Sequence, residues 1–227
     1  MDSYRKIAVA VGVLFIFATL LPILSAIPLS SVPVGFLDSE GDMGYLAAVS
    51  ANENQILTGA LLLIAMTVSI VSIPILMYPI LKKYSETLAL GYVGARIFEG
   101  FFSAFNVITL LSILSLSKQF VSAGSPANSY FQIQGSVLLS GFSWGSLLLD
   151  FPFTISALIF NYMLYKTRLI PRWLSILGFV GGALWLSTVP LRMFGVFPSS
   201  LEVLALPIAA QEMIFAVWLI AKGFNSK

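Results

Sequence analysis

Cysteine and histidine are both missing from the 227 residues. Without cysteine the chain has no disulfide, no thiol nucleophile and no iron–sulfur ligation. Without histidine it lacks the usual zinc sites, a His-ligated haem and every triad built on imidazole. Charge is scarce too. Only 10% of the residues are charged, against about 25% in a soluble domain. The net charge of +2 leaves no electrostatic footprint for nucleic acid. No Asn-x-Ser/Thr sequon occurs, so nothing marks a glycosylated ectodomain. Neither a cofactor nor a metal site is expected from what remains.

What remains is mostly apolar: 58% hydrophobic residues at a mean hydropathy of +0.95. Such a chain cannot cover itself for water, so its solvent is the lipid bilayer. Apolar runs fall at about 7–27, 57–81, 88–116, 136–165, 174–193 and 201–220. They predict an all-α fold, a bundle of six transmembrane helices forming a single domain over 1–227. The first run follows Arg5 and Lys6, as the core of a cleaved signal peptide would. It is longer than the roughly 7 to 15 residues of such a core, and Pro28 follows the small pair Ser25-Ala26. An uncleaved first span is expected. The fourth run would be about 45 Å long at 1.5 Å per residue, more than the hydrocarbon core, so it must tilt, protrude or bend at Pro152. Residues 29–54 and 117–134 read as polar loops.

The loops alternate in charge. Arg5, Lys6, Lys82, Lys83, Lys166, Arg168, Arg172, Lys222 and Lys227 fall on one side, with Lys118 on the other and Arg192 near its edge. By the positive-inside rule both termini are cytoplasmic.

Against this background the stretch Gly91-Tyr-Val-Gly-Ala-Arg96-Ile-Phe-Glu99-Gly-Phe-Phe102 stands out. Arg96 and Glu99 are three apart and share a helix face. A charge at the bilayer centre costs about 2.5 to 3.5 kcal/mol on insertion scales, so both must face protein or water. Counted along their spans, Asp150 and Glu212, with Gln211 beside it, reach similar depth on two other helices. Asn106 and Asn161 add further polar groups. One positive and three negative groups then meet at mid-depth. Arg96 can neutralise one carboxylate through a bidentate pair; the others need a proton or water access. Arg96, Glu99, Asp150, Glu212, Gln211 and Asn106 are therefore the candidate ligand-binding or proton-titrating residues. The competing reading is a buried ion-pair network that only fixes helix packing.

Other signals carry less. Gly141-Phe-Ser143-Trp-Gly145 matches the pattern of a nucleophile elbow, but the chain supplies no His base and no Lys at that depth, so no catalytic residue is assigned. Asp38, Glu40 and Asp42 lack the oxygen ligands of a dedicated calcium loop and read as a solvated acidic segment. The pairs Ala8/Gly12, Gly141/Gly145 and Gly178/Gly182 are each four apart and let helix backbones approach. They point to packing inside one chain, and nothing indicates an oligomer.

Two segments resemble a known family: Leu88-Ala-Leu-Gly-Tyr-Val-Gly-Ala-Arg-Ile-Phe-Glu-Gly100 and Pro207-Ile-Ala-Ala-Gln-Glu-Met-Ile-Phe-Ala-Val-Trp-Leu-Ile-Ala-Lys-Gly-Phe224. With the chain length, the six-span pattern and the basic turn before the third span, they are similar to the prokaryotic membrane family known as domain of unknown function 4386. That resemblance implies a multi-pass inner-membrane protein of a prokaryote. It also implies that Arg96, Glu99, Glu212, Trp218, Lys222 and Gly223 correspond to positions the family marks. It brings no mechanism.

The expectation from sequence is thus a membrane protein that binds or moves a small or lipophilic ligand, with proton linkage, through its buried Arg/carboxylate groups. The alternative is an accessory, sensor or structural subunit whose buried charges only hold the helices together. An Arg96 clamped by Glu99 and Glu212 in a closed core favours the second. A cavity lined by these groups favours the first.

Overall fold

A computed structural model describes residues 3–29, 44–126 and 129–225. The acidic segment with Asp38, Glu40 and Asp42 lies outside the described residues, as does Lys227. The described residues hold seven α-helices, one 3-10 helix and no strand: α1 (Ser3–Leu29), α2 (Gly44–Ala51), α3 (Glu53–Leu81), α4 (Glu86–Ser122), α5 (Ser129–Thr167), α6 (Arg172–Met193), the 3-10 helix Ser199–Ala205, and α7 (Leu206–Ala221). Six segments are long and apolar enough to cross a membrane: Tyr4–Leu29, Glu53–Leu81, Glu86–Ser122, Tyr130–Thr167, Arg172–Met193 and Ser200–Ala221. The protein is an all-α, multi-pass membrane protein.

Local chemistry sets the helix ends. The Leu88 N–H donates to Ser85 Oγ at 3.3 Å, and Glu86 lies in the first turn of α4, so a side-chain cap and a favourable dipole charge start that helix. The expected polar loop at 117–134 is mostly helix, because Lys118, Gln119, Gln132 and Gln134 are polar but good helix formers. Only a turn with left-handed Gly124 and Ser125, φ 82° and 53°, separates α4 from the segment leading to α5. Pro152 does not interrupt α5, which is continuous over 39 residues, about 58 Å at 1.5 Å per residue. The sixth span does not start as an α-helix. Pro207 offers no N–H to the carbonyl four residues back and crowds it; Leu206 N–H instead bonds Val203 O three back, and 3-10 geometry leads into α7.

The chain forms two compact units: Met1–Thr19, Thr67–Gly100 and Leu147–Lys227 make the first, and Leu20–Met66 with Phe101–Ser146 the second. Helices α1, α3, α4 and α5 each contribute residues to both.

In the first unit an aromatic cluster fills the core. Tyr92 stacks on Phe160 at 4.7 Å between ring centroids, and Phe15 meets Phe215 edge-on at 5.0 Å, arrangements suited to the ring quadrupoles. Met77, Met163, Leu164 and Leu174 complete it. Small residues let the helices close in. A Cβ on Gly12 would stand 2.8 Å from Ala216 O of α7, and one on Gly181 2.6 Å from the Ile208 backbone N. Gly178 leaves room for the Asn161 side chain. Gly182, its expected companion, makes only ordinary contacts; Gly181 is the residue that permits α6 and α7 to touch. The C-terminus of α7 is closed twice. Gly223, at φ 78°, donates to Leu219 O at 3.0 Å, a left-handed cap that favours glycine. Arg5 donates to Leu219 O at 3.0 Å and Ile220 O at 2.6 Å, placing a cation on the negative end of the helix dipole.

In the second unit, Leu46, Val49, Ile56, Leu110, Ile113 and Phe131 are buried together. Helix α2 falls within the stretch expected to be a loop. Its Tyr45, Leu46 and Val49 are buried, a spacing that puts them on one helix face. The Ser117 hydroxyl donates to Leu46 O, and Gly135 is the residue against which the Tyr45 phenol packs. Burial pushes the Tyr45 phenol above its usual range. Lys118 pairs with Glu53, which sits in the first turn of α3.

Candidate functional site

The first unit gathers its charged interior around Arg96. The i, i+3 spacing on α4 sets Glu99 beside it. Arg96 Nη1 stands 3.2 Å from Glu99 Oε1 and 3.1 Å from Oε2. One nitrogen spans both oxygens, so this is not the fork-on-fork pair expected from the sequence. Nη2 is thereby left for α7, where Glu212 Oε1 lies at 3.6 Å. The other Glu212 oxygen accepts a 3.2 Å hydrogen bond from Thr19 Oγ1 of α1. Thr19 reads in the sequence only as a polar interruption of an apolar run.

Aromatic rings wall the guanidinium. Its carbon lies 5.7 Å from the Phe15 ring centre, 5.8 Å from Tyr92 and 5.6 Å from Phe153, within the roughly 6 Å reach of cation–π attraction. Arg96 Nε and the Tyr92 hydroxyl are buried with no hydrogen-bond partner among the described residues. The Arg96 and Glu99 side chains are each 3% exposed, while Glu212 is 12% exposed. Formal charge does not balance, since one guanidinium faces two carboxyl groups.

Asp150 has a cation of its own, although its charge still acts on Glu99 of this cluster. Arg192 Nη1 donates to Asp150 Oδ2 at 2.6 Å, with Trp185 4.4 Å and Phe197 5.8 Å from the Arg192 guanidinium carbon. The sum of one positive and three negative groups is therefore corrected: Arg192 brings a second cation, and Asp150 belongs to it. Helix α5 begins at Ser129, before the expected 136, and Asp150 lies near its middle. Arg192 falls in the last turn of α6 and reads as a rim residue. No spacing along the chain joins the two.

The two amides pair elsewhere. Gln211 Nε2 donates to Asn161 Oδ1 at 3.2 Å, and Asn161 Nδ2 donates to Ala157 O at 2.9 Å; this link ties α7 to α5. Asn106 makes a 2.9 Å hydrogen bond with Ser146 Oγ in the second unit, where Gly145 leaves room for its amide. Ser143 is exposed within continuous helix α5, not on the strand-to-helix turn an elbow requires. No group of three acidic side chains able to hold a metal occurs among the described residues.

The family model of the Domain of unknown function (DUF4386) matches residues 10–223. The chain belongs to that family. The matched span holds Arg96, Glu99 and Glu212 as well as Asp150 and Arg192, while Arg5 lies before it. No curated protein and no solved structure matches the chain.

Proposed function

We propose that this membrane protein binds or moves a small or lipophilic ligand, coupled to a proton, at the Arg96–Glu99–Glu212 cluster. The observation that carries this reading is the inequality of the two carboxylates. Glu99 is held at hydrogen-bond distance and sealed. Glu212 stands 3.6 Å from its guanidinium nitrogen, is more exposed, and has a second donor in Thr19. Thr19 holds one Glu212 oxygen, while the other lies beyond hydrogen-bond distance of the guanidinium and is available to a proton or a ligand donor. The surplus negative charge reserves a place for one positive charge, a proton or the cationic group of a ligand. By the distribution of basic turns, both termini face the cytoplasm of a prokaryotic cell; a reporter fused after Lys227 that reads as external would overturn that orientation.

The site reading is tested with the full chain in detergent. The Glu212→Gln variant should fold and lose a carboxyl infrared band that responds to pH in the parent protein, while Glu99→Gln retains that band. An unchanged pH response in Glu212→Gln removes Glu212 from the proposal.

A second reading has its own observation. Arg96 is clamped between helices α4 and α7 at 3% exposure, as a brace would be. If that bracing is the whole role of the cluster, the chain is an accessory or structural subunit, and both glutamine variants should fail to assemble.

A further inference from the structure

A groove of about 360 Å³ runs between α5 and α6 in the first unit, within the size range of small-molecule sites. It is separate from the Arg96 cluster, and nothing in the following depends on how that cluster is read. Ile176 and Phe179 line its apolar length; they are 50% and 43% exposed, on helices that cross the membrane. Its floor is polar. Asn161 is buried, and Ser175 is wholly buried with a hydroxyl that has no partner among the described residues. Its rim is basic. Lys166, in the last turn of α5, lies over the Tyr162 ring at 5.7 Å. The Arg172 guanidinium lies 4.9 Å from the centre of the Tyr165 ring, which also lines the groove. Neither Lys166 nor Arg172 forms an ion pair with a carboxylate among the described residues. Arg172 also begins a helix that has no side-chain cap, so its charge adds to the positive end of the α6 dipole.

An occupant must match three features: an apolar tail along Ile176 and Phe179, a polar linkage at the unpartnered Ser175 hydroxyl, and an anion at the rim. We infer that the groove holds one anionic phospholipid of the surrounding bilayer, with an acyl chain along the α5–α6 channel and its phosphate against Lys166 and Arg172. Basic pockets between membrane helices select anionic headgroups in this way, at about a fivefold affinity gain per cation near the surface.

The test uses the purified full chain in nonionic detergent, with native mass spectrometry reading bound lipid. Phosphatidylglycerol should be retained as a one-to-one adduct and phosphatidylcholine of the same chains should not. Lys166→Gln should weaken phosphatidylglycerol about fivefold, whereas Lys82→Gln, an exposed cation outside the groove, should leave it unchanged. Phe179→Trp, which fills the channel from the lipid side, should abolish the adduct with both cations intact. Equal retention of the two lipids overturns the proposal. So does an unchanged affinity in Lys166→Gln, an equal loss in Lys82→Gln, or saturation by glycerol phosphate at the same concentration. If Phe179→Trp does not fold, the Lys166 and Lys82 comparison decides alone.

Discussion

Arg96 and Arg192 are both arginines on membrane helices, both beside a carboxylate and both against aromatic rings, yet they are held differently. Arg96 is 3% exposed and draws on Glu99, Glu212 and three rings from four helices. Arg192 is 21% exposed and makes one short bond to Asp150, itself 19% exposed. Lys118 and Glu53, in the second unit, are 49% and 40% exposed and pair with each other. Burial alone does not set the number of partners. Arg96 leaves only Nε buried without a hydrogen-bond partner among the described residues, whereas Arg192 leaves both Nε and Nη2 buried and unpartnered there. Of these three pairs, the most buried is the one that recruits a second carboxylate, and there one guanidinium faces two carboxyl groups.

The comparison can be broken from its strong end. Arg96→Met strands two carboxylates in the first unit and should cost about 3–5 kcal/mol, read by thermal or denaturant unfolding in detergent. Adding Glu99→Gln and Glu212→Gln to that variant should recover most of the loss. A triple variant no more stable than the single one would mean that the guanidinium acts by filling space between Phe15, Tyr92 and Phe153, not by charge. In the middle of the series, Asp150→Asn weakens one charge-assisted hydrogen bond at a partly exposed site and should cost about 1–2 kcal/mol. A cost equal to that of Arg96→Met would undo the ranking by burial. At the weak end, Lys118→Ala should change stability by less than about 0.5 kcal/mol, and raised salt should have little further effect. A larger loss would show that the pair anchors α3 to α4 in a way its exposure does not suggest.

Much of this was readable along the chain. Arg96 and Glu99 were legible as a pair because helical spacing alone joins them. Glu212 was legible as a partner because a carboxylate in an apolar run has few places to go. Arg192 sits where the sequence puts it, at the edge of the fifth span; what no pattern along the chain reveals is its partner Asp150, 42 residues away. Helices α4 and α5 run past their apolar limits, since glutamine and lysine continue a helix well in water. Helix α2 reads as loop because its eight residues are too few for a span and lie in a glycine-punctuated polar stretch. Thr19 and the rings around Arg96 left no trace, because a threonine or a phenylalanine in an apolar span is ordinary until a neighbour is known. Gly181 was passed over for Gly182 since both belong to one small-residue run, and only the approach of α7 distinguishes them.

By itself the sequence determined the solvent, the helical class, the number of spans and the residues too charged to face lipid. These follow from composition and from period, which are properties of the chain taken a few residues at a time. The tertiary structure decided which carboxylate each arginine takes, and so where charge is left over. That choice depends on side chains from helices far apart in sequence arriving within 4 Å of one another, and no local pattern encodes that distance.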